Sequence, residues 1–258
     1  MTIYQEILAA KESGQKLLAV LIDPEKIETA HIYEFLQKLH LSFATHILVG
    51  GSTDRYGKTE EVVLEIKKYT TLPVILFPGD TKQVSPKADG ILFLSLLSGR
   101  NPKYLIEQQI DAALAIHQSN LEVLPTGYIL VDGGKETSVQ RVSKTKPISQ
   151  TNDALLLKTA LAGQFSGKRL LYLEAGSGAK TPVSSEVIRG IKSELKIPLI
   201  VGGGIRNIQQ LNNAYRAGAD IVVIGTAFEK DPSFFNELKS YDCAQNGQVQ
   251  LENSRHYL

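Results

Sequence analysis

Two periodicities alternate along the chain. Short runs rich in Val, Ile and Leu give way to longer stretches in which apolar residues recur every three or four positions, and the cycle repeats almost from end to end. Such alternation is the sequence signature of strands joined through helices, so it predicts an α/β protein built on a parallel sheet. Strands are expected at 17–24, 45–51, 73–79, 90–97, 122–131, 169–175, 198–203 and 221–226. That makes eight, the number that closes a barrel. Helical patterns cover 3–12, 27–39, 59–68, 104–117, 153–164, 185–195, 208–217 and 234–240, each bounded by polar residues, Gly or Pro. The first precedes the barrel, and the rest follow every strand except the third. Only 80–89 lies between the third and fourth strands, with Pro86 inside it, and a return helix hardly fits there. The expected architecture is a (β/α)8 barrel with an additional N-terminal helix and its third helix missing. An absent helix leaves a groove on the flank of the barrel, where a long apolar ligand has room to lie.

Length and composition narrow this picture. A chain of 258 residues suits one barrel or two smaller domains. No Gly/Ser linker or low-complexity tract divides it, so one domain over 1–258 is expected. With 43% hydrophobic and 21% charged residues there is ample material for a core. The formal net charge of +1 argues against the broad basic field of a nucleic-acid binder, so any anion site must be local. The single cysteine, Cys243, excludes an internal disulfide framework and a cysteine-rich zinc site, and it fits a reducing compartment such as the cytoplasm. Tyr4, Gln5, Glu6, Lys11 and Glu12 interrupt the N-terminal apolar residues, so no signal peptide is expected. Nowhere do about 18 uncharged apolar residues run together, which leaves peripheral contact as the only expected relation to a membrane.

Candidate chemistry gathers at the predicted strand ends. The seventh strand runs into Gly202, Gly203 and Gly204, and the eighth into Gly225 and Thr226. Glycines just past strand ends let backbone N–H groups approach an anion, and loops after strands seven and eight are where phosphate-binding barrels hold phosphate. Tight turns and close helix packing would use the same glycines. The sixth strand ends in Tyr172, Leu173, Glu174, Ala175, Gly176, Ser177 and Gly178. A carboxylate beside a phosphate pocket is poorly suited to holding the phosphate and better suited to accepting a hydrogen bond, or a proton, from a hydroxyl of the same ligand. Pairing of Glu174 with a basic residue in the barrel mouth is the structural alternative.

On the opposite side, Asp23 ends the first strand and Ser52 follows the second. Both offer the hard oxygen ligands that Mg²⁺ accepts while keeping waters and substrate oxygens. Asp23-Pro24 also reads as a turn that starts a helix. Arg55, Lys58 and Arg100 lie near mouth loops, where they could neutralise a second phosphate group, but each reads as a solvated surface charge before a phosphate ligand. His31, His40, His46, His117 and His256 show no metal-ligand spacing, and no Ser-His-Asp order appears. Lys158 falls on a helical pattern rather than a strand end, which disfavours Schiff-base chemistry.

Together, the motifs Leu21-Ile-Asp-Pro-Glu-Lys, Val49-Gly-Gly-Ser-Thr-Asp, Pro73-Val-Ile-Leu-Phe-Pro-Gly, Tyr172-Leu-Glu-Ala-Gly-Ser-Gly, Val201-Gly-Gly-Gly-Ile-Arg and Ile224-Gly-Thr-Ala-Phe-Glu resemble the geranylgeranylglyceryl phosphate synthase family over almost the whole barrel. Its second group, which includes bacterial prenylglyceryl phosphate synthases, is the nearer match. The resemblance implies a modified TIM barrel without its third helix. It also implies Mg²⁺-dependent transfer of a long prenyl group, such as geranylgeranyl or heptaprenyl, from its diphosphate to the 3-hydroxyl of sn-glycerol 1-phosphate. By the same resemblance Asp23 and Ser52 match the metal positions. Tyr172 to Gly178, Gly203, Gly204, Gly225 and Thr226 match the glycerol-phosphate contacts, with Glu174 as hydroxyl acceptor. Some members carry Lys two residues before the metal aspartate, where this chain has Leu21. A homo-oligomer, dimer or hexamer, is implied as well. Another sugar-phosphate barrel enzyme and a catalytically silent phosphate-binding assembly protein are the competing readings.

Overall fold

A computed structural model describes residues 1–52, 54, 57–225 and 238. All eight expected strands are present: β1 (Leu17–Ile22), β2 (His46–Val49), β3 (Val74–Leu76), β4 (Gly90–Leu96), β5 (Glu122–Leu130), β6 (Leu170–Glu174), β7 (Leu199–Gly202) and β8 (Ile221–Ile224). They pair in sequence order, and β8 returns to β1 in parallel register, so the sheet closes into a barrel. Around it lie α2 (Ile32–Leu39), α3 (Thr59–Lys67), α4 (Gln108–His117), α6 (Asp153–Phe165), α7 (Ser185–Lys192) and α8 (Ile208–Ala217), preceded by α1 (Ile3–Ser13) and supplemented by the short α5 (Ser138–Ser143). Of the helix expected over 234–240 only Leu238, helical and buried, is among the described residues; Arg55, Thr226, Cys243 and His256 lie outside them.

Side-chain alternation along the strands sorts the core into two layers. Leu18, Val20 and Ile22 of β1 face the helices, while Leu17 and Ala19 face inward with Leu48, Ile75 and Leu92. The inward layer is continued by Ile3, Ile7 and Ala10 of α1, which plug one end of the barrel. α1 is placed there by two devices. Thr2 forms a capping box with Gln5, and the Glu122 carboxylate at the start of β5 accepts the N–H groups of Ile3 at 2.6 Å and Tyr4 at 2.9 Å, an anion at a helix N-terminus.

Between β3 and β4 there is only a turn of 3₁₀ helix, Thr81–Gln83, started by the Asp80 side chain accepting the Lys82 N–H. The return helix is indeed missing. Gln83 is buried and its Oε1 takes the Gly79 N–H at 2.5 Å, which folds the loop down beside β3. Two helices begin differently from expectation. α2 is preceded by a 3₁₀ turn at Thr29–His31, and α4 by a π turn at Lys103–Glu107. α5 was not expected: six residues are too few for a 3.6-residue period to register, although Thr137 caps it by accepting the Gln140 N–H.

His46 sits on β2 beside Ala19 of β1 and is almost fully buried. Its Nδ1 meets Thr45 Oγ1 at 2.8 Å, whereas Nε2 has no partner. Burial pushes its pKa down from 6.5 to about 4. Between those values the unfolded chain binds a proton that the folded chain refuses, so stability is complete above pH 6.5 and falls as the pH drops toward 4. We expect a loss of about 3 kcal/mol across that window, at about 1.4 kcal/mol per pKa unit. Denaturant melts from pH 7 to 4 should show this slope, and His46→Gln should flatten it; an equal slope in both proteins would clear His46 of responsibility.

Candidate active site

At the open end of the barrel a cavity of about 630 Å³ is lined by residues from the ends of the strands and the loops that follow. β6 delivers Glu174 into it. Inward alternation puts Leu170, Tyr172 and Glu174 on the same face, while Leu173 and Ala175 point into the layer beneath the helices. Leu173 and Ala175 can therefore contribute only backbone to a ligand, and the Ala175 N–H is already given to the Gly202 carbonyl. Ser177 and Gly178 border the cavity; the Gly176 N–H turns back to Glu174 Oε1 at 2.7 Å.

The loop after β7 closes against that after β6. Gly203 has φ of 81°, and a Cβ there would lie 2.4 Å from Glu174 Oε1 and 2.5 Å from the Gly176 nitrogen. Only glycine allows both the left-handed backbone and this approach. Gly203, Gly204 and Ile205 border the cavity, as does Gly225 after β8. Three glycine loops thus border one cavity, and those after β6 and β7 close on its carboxylate, with the N-terminus of α8 following two of the glycines. Thr226, the remaining expected contact, lies outside the described residues.

Glu174 is buried, and burial raises its carboxyl above the ordinary 4.5, opposed by the Tyr172 hydroxyl and the Gly176 N–H. No basic residue pairs with it among the described residues. The phenols of Tyr172 and Tyr128 are both buried, with no hydrogen-bond partner of proper geometry. Burial and the neighbouring Glu174 push both phenols well above their usual pKa, so they remain O–H donors. With Phe77 they form an aromatic wall: Phe77 stacks on Tyr172 at 5.3 Å, and Tyr128 meets Tyr172 edge-on at 5.4 Å between ring centroids.

Asp23 and Ser52 border the same cavity. The Asp23 carboxylate lies against the backbone at Gly51, where a Cβ would be 3.0 Å from Oδ1 and 3.3 Å from Oδ2. Oδ1 accepts the Glu25 N–H and Oδ2 pairs with Lys26 at 3.0 Å. The Asp-Pro turn therefore exists as the alternative reading had it, yet the carboxylate that shapes it remains on the cavity with about 20% of its side chain exposed. No group of three His, Cys, Asp or Glu side chains that could hold a metal occurs among the described residues. A metal here would thus take few protein ligands. Asp54, in the same motif, is committed to structure: it caps α3 by accepting from the Lys58 and Thr59 N–H groups and the Thr59 hydroxyl.

From the centre the cavity extends past Phe77, Pro78 and Gly79 toward Leu94, Tyr104 and Gln108, along the flank exposed by the missing helix. α5 supplies the facing side through Val139 and Val142, which the sequence reading missed along with Tyr128. Arg100 is turned onto the carbonyls of Leu97 and Gly99.

Comparison with known proteins follows the same lines. The PcrB family matches residues 11–242. The chain is 56% identical over 235 residues to a protein of Flavobacterium johnsoniae named geranylgeranylglyceryl phosphate synthase, covering 91% of this chain and 97% of that one. It is 59% identical over 227 residues to a protein of the same name from Zunongwangia profunda, covering 88% and 97%. The crystal structure of (S)-3-O-geranylgeranylglyceryl phosphate synthase from Thermoplasma acidophilum, in complex with substrate sn-glycerol-1-phosphate, superposes with a TM-score of 0.87 at 36% identity, covering 93% and 96%.

Proposed function

The chain belongs to the PcrB family, and from that premise we propose that it transfers a long prenyl group from a prenyl diphosphate to the 3-hydroxyl of sn-glycerol 1-phosphate. The observation that carries this reading is one cavity in which a buried Glu174, without a basic partner among the described residues, faces the glycine loops on one side and Asp23 on the other, with an apolar groove leading away. Neither a generic sugar-phosphate barrel enzyme nor a silent phosphate-binding protein would need that groove together with that pair of carboxylates.

The loop amides around 177–178 and 203–205 grip the phosphate of the acceptor and fix its distance from Glu174. Glu174 orients the 3-hydroxyl and takes its proton as the C–O bond forms. A strong base is unnecessary, because an alcohol bonding to an incipient cation becomes far more acidic. The Phe77, Tyr128 and Tyr172 rings border the space in which positive charge develops on the allylic carbon, and aromatic faces attract cations. The Tyr128 and Tyr172 hydroxyls supply donors to substrate oxygens. The groove takes the prenyl tail, whose burial stabilises the complex by about 25 cal/mol per Å² of apolar surface.

Asp23 and Ser52 suit Mg²⁺: both offer hard oxygen, they border one cavity, and Mg²⁺ keeps waters and substrate oxygens where the protein provides few ligands. When bound, the ion neutralises the charge that builds on the departing diphosphate. Asp23→Asn is accordingly expected to raise the Mg²⁺ concentration needed for half-maximal turnover at least tenfold. A metal titration identical to wild type would remove Asp23 from this role.

Geranylgeranyl diphosphate is the proposed donor, with heptaprenyl diphosphate the alternative. Turnover of labelled glycerol phosphate with a series of prenyl diphosphates, with and without EDTA, tests the whole reading; no product at any chain length would reject it. Exposed Ile110 and Leu114, one turn apart on α4, support self-association as a dimer or hexamer. The lone cysteine supports a cytoplasmic location. No helix among the described residues is long and apolar enough to cross a membrane.

A further inference from the structure

Two segments lie side by side where the groove meets the surface. Tyr104 Oη donates to the Val142 carbonyl at 3.2 Å, and Asn101 Nδ2 to the Ser143 carbonyl at 3.3 Å, joining residues 100–104 to 141–146. Within 100–103 and 141–146 stand Arg100, Lys103, Arg141, Lys144 and Lys146, and no acidic residue. All five are exposed. In a chain whose net charge is only +1, this is a local concentration of positive charge. Nearby acids are few: Glu136 pairs with Arg141 at 3.4 Å, and Glu107 lies one turn beyond Lys103.

Among these cations are exposed apolar groups. Pro102 is exposed, Ile106 is 53% and Val142 43% accessible, and Val142 with Tyr104 also lines the cavity. Around 141–146 the apolar surface is thin and interrupted by long basic side chains, while Ile106 stands at the edge of the exposed stripe that continues through Ile110 and Leu114. Basic side chains around a thin apolar rim are what an anionic bilayer accepts: the cations meet headgroup charge while the apolar residues enter the headgroup boundary.

We propose that the rim formed by 100–106 and 141–146 docks on an anionic lipid bilayer, setting the mouth of the groove against the membrane. That the bilayer then supplies the prenyl donor and receives the lipid product rests on the prenyl-transfer reading above; the docking itself does not. Each basic residue close to such a surface contributes about fivefold in partitioning.

The test is co-sedimentation of the full chain, without substrate, with phosphatidylcholine vesicles containing or lacking phosphatidylglycerol. We expect retention on the anionic vesicles alone, weakened by salt. The triple variant Lys103→Gln, Lys144→Gln, Lys146→Gln should lower partitioning roughly 100-fold, and Ile106→Ser should lower it further, with melting temperatures unchanged. Turnover of a detergent-dispersed donor without vesicles should be unaffected by the triple variant. Binding that ignores lipid charge, no binding, or binding the triple variant retains would overturn the proposal. So would dissociation of the variant to a smaller species on gel filtration, which would make the rim a contact between copies. A matching fall in vesicle-free turnover would overturn it too, by showing that the lysines steer the diphosphate. Failure of the wild type to turn over any donor would defeat the prenyl reading while leaving the vesicle result to stand by itself.

Discussion

Glu174→Gln should lower turnover about 10²-fold or more while glycerol phosphate still binds, the loss expected when a positioned base is removed without changing shape. The amide can still accept the Gly176 N–H, so the loop keeps its course. Burial already raises the pKa of the wild-type carboxyl above 4.5, and the ionised form is the one that accepts the proton. Activity should therefore rise with pH along a limb whose midpoint lies above the ordinary glutamate value, and that limb should vanish in the variant. Rate profiles against pH, with acceptor binding measured separately, decide the matter. Equal losses in affinity and rate would mean that Glu174 mainly builds the pocket.

Gly203→Ala should have the second-largest effect, and on acceptor affinity rather than on the proton-transfer step. A methyl group would be driven onto Glu174 Oε1 and the Gly176 nitrogen in a backbone with φ of 81°. The left-handed conformation alone costs an L-residue roughly 1–2 kcal/mol, and the clash must be relieved by moving one of the two loops. Displacing even one amide from the phosphate removes a hydrogen bond to a charged group, about 1.5–3 kcal/mol, or tenfold to somewhat over a hundredfold in acceptor affinity. Melting temperature should fall by only a few degrees. Calorimetric titration with glycerol phosphate provides the check, and an unaltered affinity would take the β7 loop out of the phosphate site.

Much of this site was legible in the sequence because barrels put their chemistry at strand ends, and strand ends are punctuated. Gly203 and Gly204 follow an unbroken apolar run, and Glu174 interrupts one, so each stands out. The gap between β3 and β4 was legible for a similar reason: ten residues containing a proline cannot hold a return helix. Other features carried no local mark. Phe77 and Tyr128 read as ordinary apolar strand residues, and their role in the cavity depends on which face of the pleat turns inward at that level. Counting back in twos from Glu174, and across the register in which Tyr128 pairs with Tyr172, would have found Tyr128. α5 left too short a trace, and its contribution to the groove arises only from folding back toward Tyr104. The sequence likewise could not distinguish Asp23 as a turn-former from Asp23 as a cavity carboxylate, because the two uses are compatible.

The plug that α1 makes gives the barrel a dead end. With Ile3, Ile7 and Ala10 stoppering the lower opening, nothing can thread the barrel from end to end, and polar groups crowd in and out through the upper mouth. The flank left bare by the missing helix relieves this congestion sideways, letting a bulky greasy tail slide out without first being drawn through the polar vestibule.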